Sequence, residues 1–377
     1  MSIARFAFPT TIHFGAGSRK LVAEHLRQNG IKRPLIVTDK GLAALPILKD
    51  FAASLTGLDV KVFAGVFGNP TRGQVDEGAK AFKAHKADAV IGFGGGAALD
   101  VAKAVAMMAV HEGDVLQYAW DHPQVLPISN PLPYFIALPT TSGTGSEVGR
   151  SSVISDDQTH VKKIIFNPVL LAKAVFADPE LTLDLPAHVT AATGMDALTH
   201  NVESYLSPAY HPLCDGIALE GARIAAHAIE TAVAKPKDIA ARSDMMMSSM
   251  MGAIAFQKDL GAVHSCAHAL GTVVDMHHGL ANGIMIDHVM RFNADAAEKK
   301  MAELARVCGA GSTAASFIEW LVALKARIGI PARLGGKGVT PAHIARLVEI
   351  AVEDTCHQTN PKPVSAEDFE RIFTLAL

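Results

Sequence analysis

The chain has few cysteines, few aromatic residues and little charge of either sign, and each scarcity narrows what it can be. Four cysteines, Cys214, Cys266, Cys308 and Cys356, lie far apart with no CxxC pair. That excludes a disulfide framework and predicts reduced thiols in a cytoplasmic protein. Lys and Arg number 34 against 37 Asp and Glu, a formal charge of −3, with no long basic run. Nothing here would track a phosphate backbone or an anionic lipid, so nucleic acid is not an expected partner. The start, MSIARFAFPTTIHFG, lacks the continuous apolar segment of a signal peptide, and the longest uncharged stretch, 122–146, carries five prolines. No membrane-spanning segment is expected. Internal repeats, low-complexity tracts and charge blocks are also missing, which removes solenoid and tail readings.

What remains is 377 residues, 49% of them hydrophobic and only 19% charged. That composition excludes a disordered chain and predicts a globular protein that works as a homodimer or larger homo-oligomer, and the length favours two domains. Short β-branched runs at 34–37, 60–66, 89–93 and 134–138 alternate with helical patterns. In one of those patterns Val75, Ala79 and Phe82 form a stripe with Asp76, Lys80 and Lys83 outside it. This rhythm predicts an α/β domain with a parallel, doubly wound sheet. After a last run at 174–177 the strand signals thin out, and Ala, Met, Leu and His at helical spacing dominate. The boundary is set near Pro186, giving an α/β domain over 1–185 and an all-α domain over 186–377. The Met-rich segment 245–251 reads as flexible filler of a helical core.

Three features of the first half suit a nucleotide. Gly94-Gly95-Gly96 follows a strand and precedes the helix-forming AALDVAKAVAMM. Glycines let backbone approach an anion, and a helix N-terminus offers it free N–H groups and partial positive charge. The span 92–97 fits a loose G-x-G-x-x-A pattern ending at Ala97, but no strand closing on an acid follows at the usual distance. Asp39, at the end of the PLIVT run, is the better ribose acceptor, and its carboxylate would repel a 2′-phosphate, favouring NAD over NADP. The loop PTTSGTGSE at 139–147, with five hydroxyls and two glycines, could surround an anion or polar cofactor.

The second half carries a candidate metal site. Asp196 and His200 share a helix face in TGMDALTHNVESY, and His264, His268, His277 and His278 fall within fifteen positions. A carboxylate with several imidazoles in an apolar helical setting suits Fe(II) or Zn(II). Spacing alone leaves open which histidines touch the metal and which of His277 and His278 takes part. Glu203 reads either as a partner of a ligand or as a surface charge.

In the order of these motifs the chain resembles the iron-dependent, group III alcohol dehydrogenases over nearly its full length. The segments that carry the resemblance are Gly94-Gly95-Gly96 with Asp100 and Lys103, PTTSGTGSE, GMDALTHNVES, GAVHSCAHALG to HHGLAN, and Asp354, Cys356 and Asn360-Pro361. It implies an N-terminal dinucleotide-binding domain, a helical metal domain and a cleft between them where alcohol and aldehyde interconvert. It also implies that Asp196, His200, His264 and His278 are the metal ligands and that His268 is a nearby non-ligand histidine. Asp39, Asn69, Gly95, Gly96, Thr140, Thr141, Lys162 and Leu181 are the implied cofactor contacts. Ala97 joins them in place of the family's usual Ser, and Lys362 replaces the common Arg after Asn-Pro.

The implied mechanism has the metal polarise the substrate oxygen while hydride moves to or from the nicotinamide, with His268 relaying the proton. Competing expectations are a zinc polyol dehydrogenase or metal-free reductase of the same superfamily, and a non-enzymatic nucleotide- or metal-binding regulator. The substrate is expected to be a small alcohol or aldehyde. Arg150 could meet a substrate carboxylate, as in succinic semialdehyde and 4-hydroxybutyrate, or could pair on the far side of a strand.

Overall fold

The computed structural model describes Phe8, residues 10–159 and residues 161–377, which divide into two compact units. One holds residues 10–141 and Ser146–Thr182; the other holds Ser142–Gly145 and Leu183–Leu377. Among the described residues no helix is long and apolar enough to cross a membrane.

The strands in chain order are β1 (Thr11–Phe14), β2 (Pro34–Asp39), β3 (Lys61–Val66), β4 (Ala89–Gly94), β5 (Tyr134–Pro139), β6 (Ser151–Ser155), β7 (Lys162–Phe166) and β8 (Ala174–Ala177). Six of them form one sheet in the order β1-β8-β5-β4-β2-β3, every pair parallel. Strands buried on both faces read as unbroken apolar runs, and the cores of β2, β4, β5 and β8 are buried accordingly. From β2 the chain crosses to β3 on one side, and from β4 it proceeds to β5 and β8 on the other. The switch therefore lies between β2 and β4, and ligands of such sheets gather at the carboxyl ends beside it.

The helix Arg72–His85 buries Val75, Ala79 and Phe82 and exposes Asp76, Lys80 and Lys83, as its stripe predicts. The helix Gly96–Met108 is buried along most of its length. Two features lie outside the sequence expectation. β1 is a four-residue edge strand, half exposed, too short to show a period. It pairs with β8 in the register Thr11 to Ala174, and Asp178 clamps it by accepting from the Gly17 N–H (3.0 Å), the Arg19 N–H (3.2 Å) and the Arg19 guanidinium (2.7 Å). The second is the antiparallel hairpin of β6 and β7, separate from the main sheet.

The hairpin is tied to the helix Gly96–Met108 by buried polar groups. Lys103 donates to Ser146 Oγ (2.8 Å) and to the Ser151 carbonyl (2.7 Å). Asp100 accepts from Ser146 Oγ (2.6 Å) and the Val153 N–H (3.0 Å). Glu147, next to this network, is 2% exposed, and its Oε1 has no hydrogen-bond partner. Burial raises its pKa from 4.5 to about 7, against the pull of its own backbone and of Lys103. Folding thus penalises the ionised form: the stability from a neutral Glu147 is complete below pH 4.5 and is lost as pH rises toward 7. The span corresponds to about 3 kcal/mol at 1.36 kcal/mol per pH unit. Thermal unfolding between pH 4.5 and 8 should show the wild type losing stability with rising pH and Glu147→Gln losing less. Equal slopes for the two proteins would refute this.

In the other unit, Ala187–Leu206 is the central helix, buried at every position from Thr190 to Leu206. Helices Pro212–Ala234, Ile239–Ala255 and His278–Asn293 pack around it over one apolar core. Met245 of the Met-rich segment is in that core, and Met246 and Met250 are buried as well. Because the central helix is enclosed on all sides, its polar side chains must find partners inside the protein.

Candidate metal centre and cofactor site

The cofactor candidates collect at the carboxyl edge of the parallel sheet. Asp39 ends β2, and its Oδ1 caps the short helix Lys40–Ala43 by accepting from the Leu42 N–H (2.9 Å). Its other oxygen faces the glycine turn at the end of β4: a Cβ built on Gly94 would stand 3.5 Å from Asp39 Oδ2 and 2.6 Å from the Ala98 Cβ. Gly94 also has φ of +154°, so glycine is required there on both counts. Gly95 caps the helix Gly96–Met108, whose first turn receives no side-chain cap and holds Ala97. Thr140 and Thr141 follow β5; the Thr140 N–H donates to the Gly94 carbonyl (3.0 Å), and Thr141 faces Gly95. Asn69 follows β3, and Leu181 lies in the turn after β8. Lys162 opens β7 of the hairpin opposite Ser155, whose N–H donates to the Pro70 carbonyl (2.8 Å) next to Asn69. Arg150 precedes β6 with its guanidinium carbon 5.5 Å from the centre of the Phe166 ring on β7, a cation–π contact within the hairpin.

In the helical unit the structure brings Asp196, His200, His264 and His278 together, with one ligand atom from each lying within 4.8 Å of the others. Asp196 and His200 come from successive turns of the central helix, His264 from the first turn of Ala262–Val274, and His278 opens the helix His278–Asn293. Asp196 Oδ1 is 3.4 Å from His278 Nε2 and 3.9 Å from His264 Nε2. Burial holds the His200 pKa down to about 4, so its ring keeps a lone pair at neutral pH.

Glu203, left open by the sequence, is a buried partner. Its Oε2 accepts from His264 Nδ1 (2.6 Å), and Oε1 takes the Val263 N–H (2.7 Å). Burial opposes protonation of His264, but this carboxylate outweighs it and raises the pKa. With its proton on Nδ1, His264 turns the Nε2 lone pair toward Asp196, the usual arrangement of a metal-binding histidine. The adjacent pair is divided by a helix start: His277 Nδ1 caps the new helix through the Leu280 N–H (3.3 Å), while His278 joins the cluster.

Sequence reading missed Asn282, four residues past His278 and hence on its face of the helix. Its Nδ2 is 2.7 Å from Asp196 Oδ1, 3.2 Å from His278 Nε2 and 3.3 Å from His264 Nε2. One amide has two protons to give and faces three converging acceptors. Such a surplus of buried lone pairs from one carboxylate and three imidazoles fits a divalent transition metal. Beside this set, His268 stacks on His278 with ring centres 5.3 Å apart and is bound through Nδ1 to Asp354 Oδ2 (2.7 Å).

A family model described as iron-containing alcohol dehydrogenase matches residues 9–179, and one for the C-terminal part of the Fe-containing alcohol dehydrogenase family matches residues 190–377. The chain is 40% identical to a 4-hydroxybutyrate dehydrogenase of Cupriavidus necator, over 96% of this chain and 97% of the relative. Its fold superposes on a solved 1,3-propanediol oxidoreductase with TM-score 0.95 at 35% identity, covering all of both chains. A sulfoacetaldehyde reductase from Bifidobacterium kashiwanohense, solved in complex with NAD+, gives TM-score 0.90 at 28% identity over 100% of this chain and 99% of that one. The chain belongs to the iron-containing alcohol dehydrogenase family, and it is an oxidoreductase acting on the CH–OH group of an alcohol.

Proposed function

We propose that this enzyme interconverts 4-hydroxybutyrate and succinic semialdehyde with NAD(H) and one divalent metal, iron in preference to zinc. The observation that carries the reading is the buried set Asp196, His200, His264 and His278, complete and supported by Glu203 and Asn282. A complete donor set disfavours the metal-free reductase. The substrate class rests on the 4-hydroxybutyrate dehydrogenase relative, and NAD on Asp39 together with the NAD+ complex of the sulfoacetaldehyde reductase.

When bound, the metal supplies Lewis-acid charge to the substrate oxygen and the nicotinamide accepts or returns hydride. The chain's own residues do the rest. Asp39 accepts hydrogen bonds from the adenine-side ribose, and the N–H groups at Gly95, Gly96 and Ala97 meet the pyrophosphate with the positive end of a helix. Asn69, Thr140, Thr141, Lys162 and Leu181 complete the cofactor contacts. His268 takes the hydroxyl proton during oxidation and returns it during reduction. The enzyme is further taken as cytoplasmic and as a homodimer or larger homo-oligomer. Four free thiols support the first, and exposed apolar side chains such as Trp120 and Phe166 support the second.

With NADH, kcat/KM for succinic semialdehyde should exceed that for butyraldehyde by about tenfold or more, the worth of one charge-assisted contact of about 1.5–3 kcal/mol. A preference for butyraldehyde would end the substrate assignment. In Arg150→Ala, a loss confined to the semialdehyde would identify Arg150 as the carboxylate's partner, and equal losses would assign it to the hairpin alone. Metal analysis of protein purified without chelators decides between iron and zinc.

Cofactor choice gives a separate expectation. Asp39→Gly removes the negative charge that a 2′-phosphate would meet, so the ratio of kcat/KM for NADPH to that for NADH should rise by about tenfold or more. The same change removes the cap on Leu42 and should cost about 1 kcal/mol of stability. A wild-type enzyme that already prefers NADPH would contradict the assignment of Asp39.

A further inference from the structure

Asp354 stands at the carboxyl end of the helix Ile344–Glu353, 86 residues along the chain from His268, yet one of its oxygens is spent on that ring. Oδ2 lies 2.7 Å from His268 Nδ1. Oδ1 accepts from two other donors, Ser265 Oγ (2.8 Å) and the backbone N–H of Cys356 (2.9 Å). Ser265 is one turn before His268 on the same helix face, and its oxygen in turn accepts the His357 N–H (2.9 Å). Against the cost of burial, the contact with the His268 ring and these hydrogen bonds keep the Asp354 carboxyl well below the ordinary range, so it stays an acceptor on both oxygens. A pure acceptor at Nδ1 demands a proton there, and the Nε2 lone pair is then left for the side of the ring opposite Asp354.

We propose, resting on the reading of His268 as the proton relay, that Asp354 is its positioning residue: anchored at Oδ1 by Ser265 and Cys356, it fixes His268 in the Nδ1–H tautomer with Nε2 as the atom that exchanges a proton with substrate. The anchor makes the idea testable with an isosteric change. In Asp354→Asn the corner facing the Cys356 N–H must be the amide oxygen, because a backbone N–H cannot turn into an acceptor. The amide nitrogen is then aimed at His268, donates to Nδ1 and drives the ring proton to Nε2. The side chain keeps its shape while the relay atom loses its lone pair. Proton balance follows: in alcohol oxidation the hydroxyl proton passes to Nε2, giving an imidazolium whose Nδ1–H stays on the Asp354 carboxylate, and the proton leaves from Nε2 to water.

The experiment compares His268→Ala, Asp354→Asn and the double variant in alcohol oxidation, with metal content and thermal midpoint measured on each. Asp354→Asn should keep its metal and its KM for NAD while kcat falls about 100-fold, the low end of general acid–base effects. His268→Ala should fall similarly, and the double variant should lie within about twofold of His268→Ala, since Asp354 acts only through that ring. Full turnover in His268→Ala would overturn the relay reading itself. A loss in His268→Ala with none in Asp354→Asn, or losses that multiply in the double variant, would leave the relay intact and overturn the role of Asp354. ¹⁵N shifts of His268 in the zinc-loaded wild type need no variant to fold. They should report a protonated Nδ1 and a bare Nε2, and the reverse would refute the proposal.

Discussion

Replacing His200 by alanine is expected to remove metal and turnover together. The ring is fully enclosed on the central helix, and burial keeps it neutral, so its lone pair is available without competition from a proton. Four-ligand sites bind with about 10–16 kcal/mol in all, so one ligand of four carries about 3–4 kcal/mol, or roughly a 100- to 1000-fold loss in affinity. Metal content measured after gel filtration should fall from about one per chain to a small fraction. The neighbouring pair gives the contrast: His278→Ala should lose metal, whereas His277→Ala should retain it while losing a helix cap of about 1 kcal/mol. Stoichiometric metal in His200→Ala, or metal lost in His277→Ala and kept in His278→Ala, would require another ligand set.

The second large effect is at Gly279, where a methyl group has no room. A Cβ there would stand 2.3 Å from the Ala192 carbonyl oxygen and 3.2 Å from the Asp196 Cβ, both on the central helix. The two helices approach backbone to backbone at the residue after His278, which is how a helix start delivers that ring to Asp196. In Gly279→Ala the helix His278–Asn293 must move outward. Overpacking of this kind costs about 3 kcal/mol, and a unit of this size shifts its midpoint by about 2–4 °C per kcal/mol, so a fall of about 6–12 °C is expected. His278 moves with the helix, so metal affinity should drop at least tenfold. Gly216→Ala is the matched control, because its Cβ would meet nothing within 4 Å on the helix Pro212–Ala234. That variant should gain about 0.5–1 kcal/mol from helix propensity. Unchanged stability and metal affinity in Gly279→Ala would show that the helices can separate freely.

The sheet was legible because strands covered on both faces must be apolar throughout, and PLIV, AVIGF and YFIAL are. β1 and the hairpin were not, since strands of only four or five residues show neither a run nor a period. Of the site, the shared face of Asp196 and His200 followed from helical spacing. Glu203 could not be placed that way, because a helix buried on all sides has no solvent face for a carboxylate to mark. The division of labour between His277 and His278 depends on one helix beginning between them, a difference of a single residue that periodicity does not resolve. Asn282 offered one faint signal, its four-residue spacing from His278, which gains meaning only once Asp196 is known to lie opposite.

The pairing of β1 with β8 has a consequence for biosynthesis. The Asp178 carboxylate that accepts from Gly17 and Arg19 lies 161 residues beyond Gly17. At about 5–20 residues per second a ribosome needs about 8–30 s to make that span, during which the first strand has been released without the strand it pairs with. β2, β3, β4 and β5 find their neighbours in far shorter lengths of nascent chain. The amino-terminal strand is therefore among the last pieces of its sheet to be laid down, and a ribosome stalled before Ala174 displays it with both of its edges open.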